Sequence, residues 1–184
     1  MTIATLITLL RFFLVPVVVL ALLSERYDWA LAGFLIAGVS DAVDGFIARH
    51  FNQQSELGAY LDPLADKLLL VCVFVVLAFM RELPLWLVIA TVSRDALIVG
   101  AVMLSKIMDH PVTMRPLMVS KINTTAQIVL AAVVIAELAL GTTFGPVRML
   151  LVIACGLLTV ASAGAYLVGW LRHMSGHGDA RSNT

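Results

Sequence analysis

Four aspartates, Asp41, Asp44, Asp62 and Asp66, sit in or beside long apolar runs of this 184-residue chain. An ionised carboxylate in an apolar span costs about 2.5–3.5 kcal/mol at mid-bilayer, and acids kept at such a cost mark functional sites. Asp41 and Asp44 are spaced i,i+3, and Asp62 and Asp66 i,i+4, so on helices each pair shares a face. Four carboxylates in one pocket cannot all stay ionised without compensation. Arg49 and Lys67 are near in sequence, but two cations leave a deficit of about two charges. Clustered oxygen ligands select hard cations such as Mg²⁺ or Mn²⁺, and four carboxylates suit a two-metal site. Two such ions can clamp the attacking and leaving oxygens of a phosphoryl displacement. A role as helix caps or structural ion pairs is the simpler alternative; four acids at matched depth weigh against it, because their charge would stay uncompensated.

The elements that must hold these acids are membrane helices. The chain is 61% hydrophobic and only 13% charged, which points to lipid as the solvent. A span needs about 20 apolar residues. Apolar runs read against turn signals predict an all-α integral membrane fold of six helices near 6–24, 28–50, 58–80, 84–105, 117–140 and 146–171. That leaves no room for a separate soluble domain: residues 1–172 form the membrane domain and 173–184 a polar C-terminal tail. Breaks fall at Glu25 to Asp28, at Arg81-Glu82 before Pro84, between Met108 and Pro116, and at Gly141 to Pro146. The first run ends in Ala21-Leu22-Leu23-Ser24-Glu25, with no small-x-small pattern, so a cleaved signal peptide is not expected. Cys72 and Cys155 lie inside apolar runs and read as packing groups, neither a disulfide nor a zinc site.

Six spans put both ends of the chain on one side with the second and fourth loops. That side carries Arg11, Arg49, Lys106, Arg115, Lys121, Arg172 and Arg181, against Arg26, Arg81 and Arg148 on the other. The excess makes the first side cytoplasmic. The second helix ends near His50 and the third starts near Gly58, which places Asp41 ~13 Å and Asp66 ~12 Å from the same end. An antiparallel pair therefore brings all four aspartates to one depth, facing the cytoplasm. Pro63 is read as a first-turn proline, where its missing N–H is harmless. Gly38, Gly45 and Ala48 lie on the Asp41 side and would let a helix or a flat ligand come close.

These residues also form a signature. Asp41-x-x-Asp44-Gly45-x-x-Ala48-Arg49, eight residues, then Gly58-x-x-x-Asp62-x-x-x-Asp66 resembles the CDP-alcohol phosphotransferase motif at every fixed position, and the wider resemblance runs from Leu6 to about Tyr166. The resemblance implies six transmembrane helices around a cytoplasm-facing polar cavity, usually in a homodimer. It implies two divalent ions, Mg²⁺ or Mn²⁺, held by Asp41, Asp44, Asp62 and Asp66 on the pyrophosphate of CDP-diacylglycerol. Gly45 and Ala48 would let the cytidine lie against the helix, and Arg49 would contact the phosphates. Thr8, Arg11 and Gly58 complete the CDP-lipid set. Asp66 would be the general base that takes the acceptor's proton, with CMP leaving. Crowded carboxylates raise one another's pKa while metals depress them. Relatives often open with Asn-x-Pro, where this chain has Thr2-Ile3-Ala4.

Two acceptors fit: phosphatidylglycerol, giving cardiolipin, or glycerol 3-phosphate, giving phosphatidylglycerol phosphate. The glycerol-phosphate branch typically has a second lysine where this chain has Asn123, and a further arginine beyond Arg94, where this chain has none. A phosphate monoester carries close to two charges and a diester one, so fewer cations suit phosphatidylglycerol. Ser93-Arg94-Asp95, Arg115-Pro116 and Ser120-Lys121-x-Asn123-Thr124 also resemble the cardiolipin synthase branch found in mitochondria and some bacteria. Arg94, Arg115 and Lys121 are assigned to the acceptor phosphate. Asn123 as a helix cap and Arg94 in an internal pair with Asp95 are the alternatives. The expected setting is multi-pass, in a bacterial inner membrane. A cation or proton transporter is the rival from another class, but no internal repeat accompanies the acids. Glu137 reads as an isolated acid near the outer end. Nucleic-acid binding has no support, since no basic run occurs.

Overall fold

The computed structural model describes the backbone of residues 3–51, 56–107 and 118–176, and side-chain environments for 13–40, 67–100 apart from Val99, and 118–166. It is a bundle of six helices: α1 (Ile3–Leu23), α2 (Tyr27–Phe51), α3 (Glu56–Phe79), α4 (Leu85–Ile107), α5 (Met118–Leu140) and α6 (Gly145–Gly176). No strand occurs among the described residues. α1 packs on α2 and α3, α2 on α5, α5 on α6, and α6 on α4, while α3 also meets α4 and α5. Six helices were expected, and four of them begin and end within two residues of the expected places. The exceptions are α1, which starts three residues early at Ile3, and α6, which continues to Gly176 beyond its apolar stretch. Pro63 is corrected: α3 starts at Glu56, so Pro63 lies inside the helix, where a proline cannot bond the carbonyl four residues back.

Both the inside and the outside of the bundle are apolar. The core is built from Val18 and Leu22 of α1, Phe34 of α2, Phe74 and Leu77 of α3, Leu87 of α4, Leu130 and Ile135 of α5 and Cys155 of α6. Phe13, Leu20, Phe79, Leu97, Leu150 and Val160 are exposed. Exposed large apolar side chains on several helices mark a surface that water does not solvate well. Among the described residues, Met118–Leu140 and Gly145–Tyr166 are long and apolar enough to cross a membrane, and Phe13–Leu23, Tyr27–Ser40 and Lys67–Phe79 are shorter apolar stretches of α1, α2 and α3.

Three helices end by the same device. The N–H of Arg26 bonds the Ala21 carbonyl, that of Glu82 the Leu77 carbonyl, and that of Thr142 the Glu137 carbonyl. Each closing turn pivots on a left-handed residue, Glu25, Arg81 or Gly141. This six-to-one bond satisfies a carbonyl that the end of the helix leaves without an intrahelical partner. Tight connections of this kind make α1–α2, α3–α4 and α5–α6 antiparallel neighbours. The same end carries an ion cluster. Arg148 bonds Glu137 at 3.0 Å and Glu82 at 2.9 Å, and also the Glu82 carbonyl. Glu137, only 4% exposed, accepts the Phe144 N–H at 2.5 Å as well. Glu137 is therefore at the expected end of the bundle but is not isolated.

Close approach of α1 and α2 occurs at Gly33, where an added Cβ would stand 2.9 Å from Val18 Cγ2. Val18 is fully buried and β-branched, so it has little room to yield. Gly38, expected to let a helix or a flat ligand come close, has nothing within 4 Å among the described residues. Gly33→Val is expected to cost about 1–3 kcal/mol through overpacking. Gly38→Ala should be neutral or stabilising by up to about 1 kcal/mol from helix propensity. Thermal unfolding of both variants in detergent checks the contrast; equal melting temperatures would remove the α1–α2 contact as its cause.

Candidate active site

The motif aspartates fall on two successive helices. Asp41 and Asp44 lie on α2 and Asp62 and Asp66 on α3, joined by a connection of residues 52–55. Each pair sits in uninterrupted helix, so the i,i+3 and i,i+4 spacings place each pair on one face. Asp41 lies ten residues before the end of α2 at Phe51, and Asp66 ten residues after the start of α3 at Glu56. At 1.5 Å per residue both are ~15 Å from the joined ends, and Asp44 and Asp62 are each roughly 10 Å from them. Counted along each helix, the two pairs stand at similar distances from the joined ends. Their side chains, with those of Thr8, Arg11, Gly45, Ala48, Arg49 and Gly58, lie outside the described residues, as does Arg115 altogether. Two pairs of hard oxygen donors on a helix hairpin suit Mg²⁺ or Mn²⁺ better than softer ions, so the donor set fits two divalent cations.

The first described side chain beyond the motif is Lys67, and it reaches to α4. Its ammonium lies 2.8 Å from Asp95 Oδ1. The same oxygen is 2.5 Å from Arg94 Nη1. Arg94, 2% exposed, then spends its other donors on neighbouring helices: Nε and Nη2 bond Ser162 of α6 at 3.1 and 2.6 Å, and Nη2 bonds Ser120 of α5 at 2.5 Å. One carboxylate between two cations thus ties α3, α4, α5 and α6 into one layer. The fork of the guanidinium, with five donors in a fixed plane, is what permits so many partners. The sequence-based charge count gave Lys67 to the aspartates. Because Asp95 shares that charge, the aspartate quartet needs more positive charge from elsewhere than the count implied.

Below this layer a neutral polar one follows. Asn123, with no exposure, accepts a hydrogen bond from Thr159 Oγ1 at 3.2 Å. Its Nδ2, like Nε2 of the buried Gln127, has no partner among the described residues. Asn123 lies well inside α5, which starts at Met118, so it is not a helix cap. Gln127, Asp95 and Thr91 line a cavity of about 10 Å³ between α3, α4 and α5. Of the three residues assigned to the acceptor, Arg94 is buried in the internal pair with Asp95, and Lys121 is exposed beside Ser120. Ser120, Thr159 and Ser162 were not singled out from sequence as site residues. Their signal is weak: small hydroxyl residues in a span usually bond their own helix, as Thr91 does to Leu87 and Val88. A hollow of about 700 Å³ lined by Arg81, Glu82, Arg148 and apolar side chains lies at the opposite end of the bundle, away from the motif.

The family model for CDP-alcohol phosphatidyltransferase matches residues 1–163. The chain belongs to the CDP-alcohol phosphatidyltransferase family. It is 34% identical over 151 residues to proteins from Rattus norvegicus and Homo sapiens named cardiolipin synthase (CMP-forming); the match covers 73% of this chain and 50% of each relative. It is also 34% identical over 139 residues to the CDP-diacylglycerol–glycerol-3-phosphate 3-phosphatidyltransferase of Bacillus subtilis (strain 168), covering 67% of this chain and 70% of that protein. The chain thus spans about half the length of the mammalian relatives it matches.

The Arg94 layer generates a stability prediction. Arg94→Lys keeps the charge, but a single ammonium cannot bond Asp95, Ser162 and Ser120 with the same fork. Stability in detergent should fall by about 2–3 kcal/mol, the range for breaking a buried hydrogen-bonded charge. A melting temperature unchanged from the parent protein would show that the fork does not hold the four helices together.

Proposed function

We propose that this chain is a cardiolipin synthase of the inner membrane, which transfers the phosphatidyl group of CDP-diacylglycerol to phosphatidylglycerol and releases CMP. The observation that supports the reading is the similar distance of the two aspartate pairs from the joined ends of α2 and α3. That arrangement gives hard-cation ligands in two pairs, as a phosphoryl displacement requires. The names of the rat and human relatives support this acceptor.

In this reading six membrane spans surround a polar cavity open to the cytoplasm. The cation excess on the side of the chain ends sets the orientation. The active unit is a homodimer by analogy with the family. Mg²⁺ or Mn²⁺ held by Asp41, Asp44, Asp62 and Asp66 supplies positive charge to the pyrophosphate. Thr8, Arg11, Gly45, Ala48, Arg49 and Gly58 seat the CDP-lipid, the two small residues by allowing close approach. Asp66 accepts the proton of the acceptor hydroxyl as its oxygen attacks the lipid-bearing phosphorus. The bond to the CMP oxygen breaks, and CMP leaves. Arg94, Arg115 and Lys121 attract the acceptor phosphate; Arg94 acts from within the layer it organises.

Glycerol 3-phosphate is the second acceptor to test, because the Bacillus subtilis relative matched over 70% of its length is named for it. Purified protein in detergent, given CDP-diacylglycerol and Mg²⁺ or Mn²⁺, should release CMP with phosphatidylglycerol. Release only with glycerol 3-phosphate would keep the transfer chemistry and overturn the acceptor. Asp66→Asn should reduce turnover by at least about a hundredfold, the low end for general base catalysis, while leaving CDP-diacylglycerol binding largely intact. Near-parental turnover in that variant would remove Asp66 as the base.

A further inference from the structure

Lys67 follows Asp66 directly, on the helix that carries half of the aspartate quartet. An ammonium on a four-carbon stem at that position is the natural competitor for the carboxylates. Successive helical residues are about 100° apart, so Lys67 starts on a different face from Asp66, but its length lets it turn toward either α4 or the acids. The structure has it on α4: Nζ is half-buried and 2.8 Å from Asp95. Asp95 is itself held, since Arg94 Nη1 binds the same oxygen at 2.5 Å and the guanidinium is anchored to Ser162 and Ser120. The anchor is therefore rigid, buried and charged before Lys67 arrives.

We propose that Asp95 is a positioning residue that holds Lys67 on α4 and so leaves the four aspartates open to divalent cations. The inference rests on the divalent-metal reading of the aspartate hairpin given above. With Asp95 in place, the two cations and one acid of this layer leave one net positive charge, and the ammonium has a fixed partner. Without the acid, two cations remain in a setting of low dielectric, one of them mobile and adjacent in sequence to a metal ligand. That ammonium would compete for the carboxylates and repel an incoming divalent ion. A purely structural Asp95 would change melting temperature and the amount of folded protein; it would not make metal affinity depend on Lys67.

The test is direct binding of Mn²⁺ to the purified full chain, read by the electron paramagnetic resonance signal of free Mn²⁺ without lipid substrate. Asp95→Asn should weaken Mn²⁺ binding roughly tenfold, the effect of about 1.4 kcal/mol of added repulsion. Asp95→Glu should bind nearly as the parent, and adding Lys67→Met to Asp95→Asn should restore affinity. Lys67→Met alone should change affinity less than about threefold, since the proposal has this charge already satisfied by Asp95. This last variant stands even if Asp95→Asn does not fold. A large gain in affinity from Lys67→Met alone would place the ammonium among the aspartates and overturn the proposal, as would unchanged binding in folded Asp95→Asn. Absence of Mn²⁺ binding in the parent protein would instead overturn the divalent-metal reading itself.

Discussion

A charge inside this bundle has to be answered from inside it, because the outer surface of the helices is apolar and the core between them is apolar too. The described residues answer this constraint twice, in opposite ways. In the layer next to the motif one acid, Asp95, stands between two cations, Lys67 and Arg94. At the far end one cation, Arg148, stands between two acids, Glu82 and Glu137. The first triad carries a net positive charge and the second a net negative one. Buried triads add little net stability compared with well-packed apolar residues, yet removing one member is costly, so they act chiefly to fix which helices meet. The positive triad joins α3 and α4 and, through the Arg94 fork, α5 and α6. The negative one joins the α3–α4 connection to α5 and α6.

The two triads also divide the molecule. At the far end three helices finish in the same six-to-one turn, and Arg148 ties the α3–α4 connection to α5. At the motif end the acids lie on two successive helices, at distances from the joined ends that come from helix length alone. Asp41 and Asp66 are each ten residues from their joined helix ends, so two equal counts along two antiparallel rods suffice to bring them to one depth. This is an economical way to build a polyvalent site, since it needs no contact between distant segments.

That economy explains which parts could be read from the amino-acid sequence. Helix positions follow from apolar length and local breakers, and α2 was expected at 28–50 against an observed Tyr27–Phe51. That the aspartate pairs fall on helices was equally legible, because helix membership is a local property. The extension of α6 to Gly176 was not: a helix can outlast its apolar stretch, and hydropathy marks only the stretch. Pro63 was placed too near the start: α3 begins at Glu56, two residues before the expected Gly58, which makes Pro63 its eighth residue. Partners brought together by folding were the least legible. Lys67 was credited to the acids beside it in sequence, while its recorded partner is 28 positions away at Asp95. Glu137 read as isolated because the residues it clusters with, Glu82 of the α3–α4 connection and Arg148 of α6, come from elsewhere in the chain. A cap was the alternative for Asn123 because the local residue type fits one, whereas its oxygen meets Thr159 across the α5–α6 contact.

The charge of the Arg94 layer bears on the acceptor. A mid-bundle arginine looks, from sequence, like a whole positive charge offered to a phosphate. In the structure that charge is shared: Asp95 offsets one of the two cations, and the layer presents about one net positive charge rather than two. Immediately deeper stand Asn123 and Gln127, which are neutral, with amide donors that have no partner among the described residues. A phosphodiester brings one negative charge, whereas a phosphate monoester brings close to two near neutral pH. Within a low-dielectric bundle an unmatched second charge would be expensive, and neutral amides offset only part of that cost. If the acceptor phosphate meets this layer, as proposed, its one net charge among the described residues matches a diester. A glycerol-phosphate acceptor would need its second charge met by cations such as Lys121, which is exposed, or by residues on the connection between α4 and α5.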